Sequence, residues 1–510
     1  MFSPFSFYGG LPDPNIIFLN DNIITSQAVL ESKLTGETIK YFIIDGNEKT
    51  SFSKTNYTIN NNAFKGVSNA NKNPITYVKM EKATIIYDNA FQYCSLNELD
   101  FPNTTAVAAG AFRDNTGNIQ TGYFPLATSL GNTAFGINSL HPNIQIRQDI
   151  SGSGILYIPS WLGTNTGNAA LFNNNNLTGS ISNVDSNATH YLPNIDRMGG
   201  DYSWSSNKFT KLDLIGITTI GGFNNNVGFS VVSQTDPLAS VYIPNATTIK
   251  NYAFQSCNIT KADLPFVSSF AGFASNNALT SVSQTDSNAS IYIPSVVSVG
   301  GAAFQLTNVV GIDLPNLTSI TGTSNFRANK ATSVSTTSSF LADIQLNNLP
   351  ANGFDGSDSS FNGSYFTKFY MPRILNTPNA TFAGLTNAAI TTISQTDPSA
   401  SIYIPDVVNT ANISYQGAFS ACNKLVSADL PYMTQIGTYM FNGATPLNYV
   451  NLPGITKGYL GTSPTTNNSF GNTALNGTIN VPLALATNNA GGPDADLVYL
   501  AGRGWTINYI

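Results

Sequence analysis

Charge is what this 510-residue chain has least of. Lys, Arg, Asp and Glu together make 10% of it, against about a quarter in ordinary globular domains. Asn, Thr, Ser and Gly fill the gap, so the expected surface is polar but mostly uncharged. The formal net charge of −6 and the lack of a basic stripe exclude nucleic acid as a partner, because phosphate binding needs concentrated Lys and Arg. Histidine is scarcer still. His141 and His190 are the only two, and neither has a spaced partner for a metal or a nucleophile–base pair. His190 falls on an inward-facing strand position and reads as a packed structural residue. There is no phosphate-cradling glycine loop. No run of about 18 apolar residues is present, so no membrane insertion is expected. Met1 to Gly10 carries neither the basic stretch nor the apolar core of a secretory signal, and neither end shows a lipidation or sorting motif. These absences lead to the expectation of a non-enzymatic protein with no cofactor, no catalytic residues and no metal. Glu98 and Asp100, on one strand face, are the one acid pair that keeps glycoside cleavage open.

Cysteine is nearly absent too, and its three copies are informative by position. Cys94, Cys257 and Cys422 each stand three residues after the Phe of an Ala-Phe pair. They are one repeat position used three times. Repeats so far apart in the chain do not bring two Cα atoms within the ~4.4–6.8 Å a disulfide needs. They are expected to be small buried fillers, and they say nothing about compartment.

What the chain has in abundance is repetition. Four segments begin at Ser182, Ser233, Ser283 and Ser394, and three of them spell Ser-Gln-Thr-Asp, three residues, then Ser-(Val/Ile)-Tyr-Ile-Pro. In all four an Asp (Asp185, Asp236, Asp286, Asp397) lies eight residues before a Pro. A second punctuation, Asp-(Leu/Phe)-Pro, occurs at Asp100, Asp263, Asp313 and Asp429. A third is Ala-Phe, ending at Phe64, Phe91, Phe112, Phe135, Phe254, Phe304 and Phe419. Pro244 recurs at Pro294 and Pro265 at Pro315, both 50 residues on. Landmarks from Met80 to Pro482 give about 15 turns of about 27 residues, the range of leucine-rich repeats. Such a period means a solenoid, which grows in one dimension and removes the need for several cores in a chain this long.

Counting back from each landmark Pro locates a face. The residue before Pro is apolar throughout and points into the core. Period-two alternation turns the residue before that outward. This outward position is Tyr at 123, 157, 191, 242, 292, 370 and 403, and Asp or Asn at 100, 263, 313, 429, 451 and 480, with Asp213 in a degenerate copy. Two readings of this face stand. Tyr rings and carboxylates suit sugars or a protein partner, which makes Tyr242, Asp263, Tyr292, Asp313, Tyr403 and Asp429 the candidate ligand-binding residues. In the other reading each Tyr leans on its cross-strand neighbour and stabilises the stack. The Phe of Ala-Phe is expected to be a core ladder. Asp185, Asp236, Asp286 and Asp397 start turns in which Asx bonding suffices. The loop Asp355 to Asp358 lacks the further acids of a calcium loop.

The flanks differ from the repeat. Residues 1–60 are expected to form a capping or attachment domain, with strands at Ile16–Leu19 and Tyr41–Ile44 and a short helix within residues 25–34. Residues 61–482 form the solenoid. Residues 483–510 form a terminal cap, with a helix from about Pro493 to Gly502 and a strand from Trp505 to Ile510.

The composite Tyr-Ile-Pro…Ala-Phe-x-x-Cys…Asp-Leu-Pro, clearest at residues 243–265, 293–315 and 404–431, resembles the BspA-type (Treponema-type) leucine-rich repeat. The resemblance covers residues 61 to 482. It implies a mostly β leucine-rich-repeat solenoid with one short parallel strand per turn and irregular or short helical returns. It also implies a surface adhesin that binds host proteins or other cells. The unequal, Asn-rich repeats and the absent signal depart from that pattern and are similar to fibre and appendage proteins of phages of Bacteroidota-like hosts. The functional expectation is therefore a virion-surface binding protein. Residues 1–60 would attach to the virion or appendage base, and the strand face would meet a host cell-surface glycan or protein. Fibres of this kind are often trimers, so a homotrimer is a possible state, although no heptad pattern sets three strands. The alternatives are a bacterial cell-surface adhesin binding matrix proteins and a structural virion decoration.

Overall fold

The computed structural model describes most of residues 57–314, 390–455 and 469–510, and short strands elsewhere between residues 16 and 410. Two compact units divide the chain: residues 1–246 with 252–258, and residues 247–251 with 259–510. In both, the chain winds as a parallel-stranded solenoid, as the period predicts.

One turn of the first unit shows why. The strand Glu98–Asp100 pairs in parallel with Tyr77–Met80 and with Thr121–Tyr123. After Pro102 the chain turns, and Thr104 donates its hydroxyl to Ala83 O at 2.8 Å. A two-residue strand, Ala106–Val107, then pairs with Ala83–Ile86 and Ser129–Leu130 in a second parallel sheet. Ala111-Phe112 follows. Its backbone donates to the next turn from every other residue, Gly110 to Asn132 O, Phe112 to Ala134 O and Asp114 to Gly136 O, at 2.9, 2.9 and 3.4 Å. Every buried backbone group must find a partner, and these rungs supply them.

The turns are thus more regular than one strand with irregular or helical returns. Most carry a second strand, and the return is a column of stacked β-turns around the Phe. Residues two before and two after that Phe sit at positive φ. Around Phe135 they are Thr133 (55°) and Ile137 (55°), and around Phe254 they are Tyr252 (59°) and Ser256 (54°). Left-handed backbone costs a non-glycine residue about 1–2 kcal/mol. It persists here because the rung hydrogen bonds and the Phe between them over-determine it.

The expected Phe ladder forms the core. Phe64, Phe91, Phe112 and Phe135 stack in succession at 4.9, 5.5 and 5.3 Å between ring centroids, with planes within 15°. The column continues through Phe172, Trp204 and Phe223 to Phe254. In the second unit Phe270 stacks on Phe304, and Phe419, Phe441 and Phe470 stack in order.

The position three residues after each Phe is also a ladder. Cys94 Sγ donates to Phe64 O at 3.1 Å and Cys257 Sγ to Phe223 O at 3.3 Å. All three cysteine thiols are buried, and burial pushes Cys257 up to about 12. Cys94 and Cys257 are more than fillers: they bind the carbonyl of the preceding turn. Asn shares the position, and Asn115, Asn207 and Asn226 donate to the carbonyls of Phe91, Phe172 and Trp204 at 3.1, 2.9 and 3.0 Å.

At the N-terminal side, Ile16–Leu19 pairs antiparallel with Tyr77–Met80, which seats this strand on the first unit's sheet. The expected strand at Tyr41–Ile44, residues 25–33 of the expected helix and the loop 356–358 lie outside the described residues; at the end of that helix the structure instead has a strand, Leu34–Gly36, paired antiparallel with Tyr57–Ile59. At the other end, the helix Ala495–Gly502 buries Leu497 and Leu500. The strand Thr506–Tyr509 then pairs in parallel with Thr478–Val481, and Trp505 Nε1 donates to Ala474 O at 2.8 Å.

Candidate functional site

Within each unit the outward positions of the strands line up across the hydrogen-bonded register as a ladder. In the first unit its rungs run Lys79, Asp100, Tyr123, Tyr157, Arg147, Tyr191, Ser182, Asp213, Tyr242 and Ser233. In the second unit one stretch runs Asp263, Tyr292, Ser283 and Asp313. Another runs from Gln345 through Tyr370, Tyr403, Ser394, Asp429, Asn451 and Asn480 to Asn508. Each step is one strand spacing, about 4.8 Å.

The Ser rungs were hidden in the sequence. Val231–Ser233 and Val241–Tyr242 are parallel neighbours in the same sheet, although only seven residues separate them. Parallel neighbours ordinarily need a crossover of a dozen residues or more. The Ser-Gln-Thr-Asp segment replaces the crossover with side-chain bonds. Ser233 Oγ accepts from Thr235 N and Asp236 N at 3.1 and 2.9 Å. Asp236 Oδ1 accepts from Leu238 N at 2.9 Å, the expected Asx turn. Ser240 Oγ accepts from Val231 N and donates to Val231 O, both at 2.9 Å. Gln234 reaches through the core to Ala246 O at 2.6 Å. The loops at Asp185, Asp286 and Asp397 repeat the Asx bond at 2.8 to 2.9 Å.

A fifth copy of this module exists that the motif spacing did not reveal. Gln145–Arg147 pairs with Ile155–Tyr157 as Val231–Ser233 does with Val241–Tyr242. Gln148 again donates through the core, to Trp161 O. Arg147 stands where the others have Ser, and the return is one residue longer in register, since Arg147 pairs with Tyr157 but Ser233 with Tyr242. Arg147 is held by Asp149 through two bonds of 2.8 Å, donates to Ser186 O and Ala188 O at 3.0 and 3.2 Å, and lies over the Tyr191 ring at 5.5 Å. The same bonds hold the Asp149 carboxyl below its usual range, against some desolvation.

The candidate residues therefore occupy different environments. Tyr242 and Tyr292 are half-buried rings, each with an acid on one side and a buried Ser on the other. Neither ring has an aromatic partner among the described residues. Tyr403 is half-buried beside Ser394 and the Tyr370 strand. Asp263 is half-buried next to Tyr292. Asp313 is in register next to Ser283, and its side chain lies outside the described residues. Asp429 is occupied on both oxygens: Oδ2 accepts from Thr396 Oγ1 at 2.6 Å and Ser394 Oγ at 3.4 Å, and Oδ1 accepts from Asn451 Nδ2 at 2.7 Å. Beyond it, Asn480 and Asn508 continue an amide ladder at 3.2 and 2.9 Å.

Two outward positions depart from expectation. Asp100 is 3% exposed rather than solvent-facing, with Lys79 Nζ 3.5 Å away. It and Glu98 lie on the closed part of the ladder. Tyr123 and Tyr157 are stacked on each other at 5.6 Å and 16°, so in that pair the rings do lean on their neighbours. Burial, then Tyr157 and Asp100, raises the Tyr123 phenol above its usual value.

Asp213 was legible only as a degenerate copy, and the structure gives it a distinct place. It lies between Ser182 and Tyr242, and its Oδ1 is closed off from solvent with no hydrogen-bond partner among the described residues. Burial raises its carboxyl above the usual range, Lys211 works against this, and Asp185 adds to it. The histidines serve structure. His190 is fully buried, its Nδ1 accepts from Ile146 N at 3.1 Å and its Nε2 faces Thr178 O at 3.0 Å. Burial pulls it down to about 4, with the Thr178 bond opposing and Arg147 assisting. His141 Nδ1 accepts from Asn143 N at 3.2 Å.

Among the described residues no group of His, Cys, Asp and Glu is arranged to hold a metal ion, and no helix is long and apolar enough to cross a membrane.

Comparison with known proteins bears on this geometry. The profile of the BspA type leucine rich repeat region, in six copies, matches residues 40–152, 168–280, 200–333 and 357–482. None of the curated proteins compared matches the chain. Among solved structures, a leucine-rich repeat protein from Bacteroides ovatus ATCC 8483 is 15% identical with a TM-score of 0.38, covering 93% of this chain and 99% of its own. A leucine rich cell surface protein from Faecalibacterium prausnitzii A2-165 is 13% identical with a TM-score of 0.28, covering 93% of this chain and 94% of its own.

Proposed function

The chain belongs to the BspA-type leucine-rich-repeat family, and from that premise we propose that it is a non-catalytic binding protein that presents its Tyr/Asp rungs to a host cell-surface glycan. The observation that carries this is the setting of Tyr242 and Tyr292. Each is a half-buried ring with a carboxylate one strand away and a small buried Ser on the other side. An apolar ring face beside a hydroxyl acceptor is what a sugar uses. In a ladder built only for stability the rings would stack on each other, as Tyr123 and Tyr157 do.

The display surface we infer is a virion appendage, with the N-terminal segment as the attachment. The unequal, Asn-rich turns support that reading, and family membership is equally compatible with a bacterial cell surface. The test is sedimentation of purified protein with intact candidate host cells, beside matrix-protein-coated beads. Saturable binding to one strain, competed by its extracted surface polysaccharide and lost in the Tyr242→Ala/Tyr292→Ala/Tyr403→Ala variant with unchanged circular dichroism, is the expected result. Binding that survives the triple substitution removes the ladder from the function. Binding only to matrix beads replaces the glycan by a protein ligand and favours the bacterial adhesin.

A further inference from the structure

The order Tyr–Ser–Asp recurs along the ladder, and its first and last acids, Asp213 and Asp429, differ in how they are satisfied. The copies are Tyr191–Ser182–Asp213, Tyr292–Ser283–Asp313 and Tyr403–Ser394–Asp429. In the last, the residue two after the Ser is Thr396, and its hydroxyl donates to Asp429 at 2.6 Å. In the first, that residue is Val184, which is 49% exposed and offers no donor. The consequence is visible at the acid: Asp213 Oδ1 has no partner among the described residues. The nearest cation on its strand, Lys211, is turned to Pro237 O at 2.8 Å. Past the acid the two copies differ again. The rung after Asp213 is the Tyr242 ring, whereas the rung after Asp429 is Asn451, which binds it.

Resting on the glycan reading above, we propose that Asp213 and Tyr242 form the anchoring subsite of the ladder. In it, a hydroxyl of a neutral sugar chain donates to the Asp213 carboxylate, which lacks the side-chain donors that Thr396 and Asn451 give to Asp429. The ring lies one strand, about 4.8 Å, from the carboxylate, within the span of one sugar ring and its hydroxyl. Oδ1 is closed off from solvent, and rotation about the terminal bond of Asp213 is soft, so the ligand meets whichever oxygen faces outward. Charge selects the sugar. Asp213 has Asp185 as an acidic neighbour and the chain carries a net charge of −6, so a polyanionic saccharide is disfavoured against a neutral one. Val184 is the specificity-determining residue, because its methyl fills the place of the Thr396 hydroxyl without donating to the acid.

The test uses the full chain and surface polysaccharide extracted from the strain with which it sediments. Val184→Thr supplies Asp213 with an internal donor at an exposed position. Binding is expected to weaken about tenfold, the scale of one hydrogen bond, with a small rise in melting temperature. Asp213→Asn, read in parallel, is expected to weaken binding without lowering the melting temperature. If Tyr242→Ala abolishes binding while Val184→Thr and Asp213→Asn both bind as the parent does, the subsite is wrong and the glycan face stands. If the parent binds matrix-protein beads and no polysaccharide, the glycan reading itself fails.

Discussion

Two stretches of one ladder, both in the first unit, use the same strand position in opposite ways. From Lys79 to Tyr157 the outward side chains satisfy one another: Lys79 faces Asp100 at 3.5 Å, and Tyr123 stacks on Tyr157 at 5.6 Å. From Tyr191 to Ser233 they do not. The inserted Ser strands separate the rings, and Asp213 keeps an oxygen without a partner among the described residues. The core beneath is the same Phe column in both. A solenoid can therefore hold its stability in the inward positions and leave the outward ones free to close or to bind. The device that changes one into the other is the Ser-x-x-Asp loop, at Ser182 and at Ser233, which adds a small rung between large ones.

The sharpest check on this separation lies in the core. Phe112→Ala, in the closed stretch, and Phe223→Ala, in the open one, each remove a fully buried ring from the column. Both are expected to cost about 3–5 kcal/mol, measured by urea unfolding. A large difference between them would mean that the stretches differ inside as well as outside.

The next largest effect is acid, and it acts at His190, where the Gln145–Arg147 strand meets the open stretch. The unfolded imidazole takes its proton near 6.5, but the folded one not until about 4. Stability is thus full above about pH 6.5 and falls as pH drops to about 4, by up to about 3 kcal/mol. His190→Gln is expected to be less stable at pH 7 and to lose most of that pH dependence in thermal unfolding.

Smaller effects bear on the outer face. Thr396→Val removes a donor from Asp429 and is expected to destabilise by about 1 kcal/mol or less, because the pair is partly exposed. Val184→Thr is expected to stabilise by a similar amount. Equal signs for the two would deny that these positions are equivalent. The ring comparison is of similar size. Tyr123→Ala should cost about 0.5–1.5 kcal/mol more than Tyr242→Ala, because only Tyr123 loses a stacked partner, and only Tyr242→Ala should reduce binding to cells.

Much of this was legible before any coordinates. The Phe column, the single recurring cysteine position, the Asx turns at Asp185, Asp236, Asp286 and Asp397, the structural role of His190 and the terminal helix and strand all follow from residue type at fixed spacing. Other features were not. The shared Asn/Cys position was written at Asn115, Asn207 and Asn226, but Asn is so frequent elsewhere in the chain that its regular copies were lost among the others. The module at Gln145–Arg147 was hidden because Arg147 replaces Ser and its loop is longer. The second sheet rests on two-residue strands such as Thr248–Ile249, too short to show an alternation.

The sequence by itself determined the repeat, the inward residues and the solenoid class, because burying a fixed apolar set at a fixed period leaves one architecture. Which outward residues become neighbours was decided only by the tertiary structure. Each Ser-Gln-Thr-Asp loop folds its strand back beside the next one, so rung order departs from chain order. Asp213 meets Tyr242 rather than the Tyr before it, and whether a carboxylate is bonded or left open depends on a residue, Thr396 or Val184, that lies on another strand's loop.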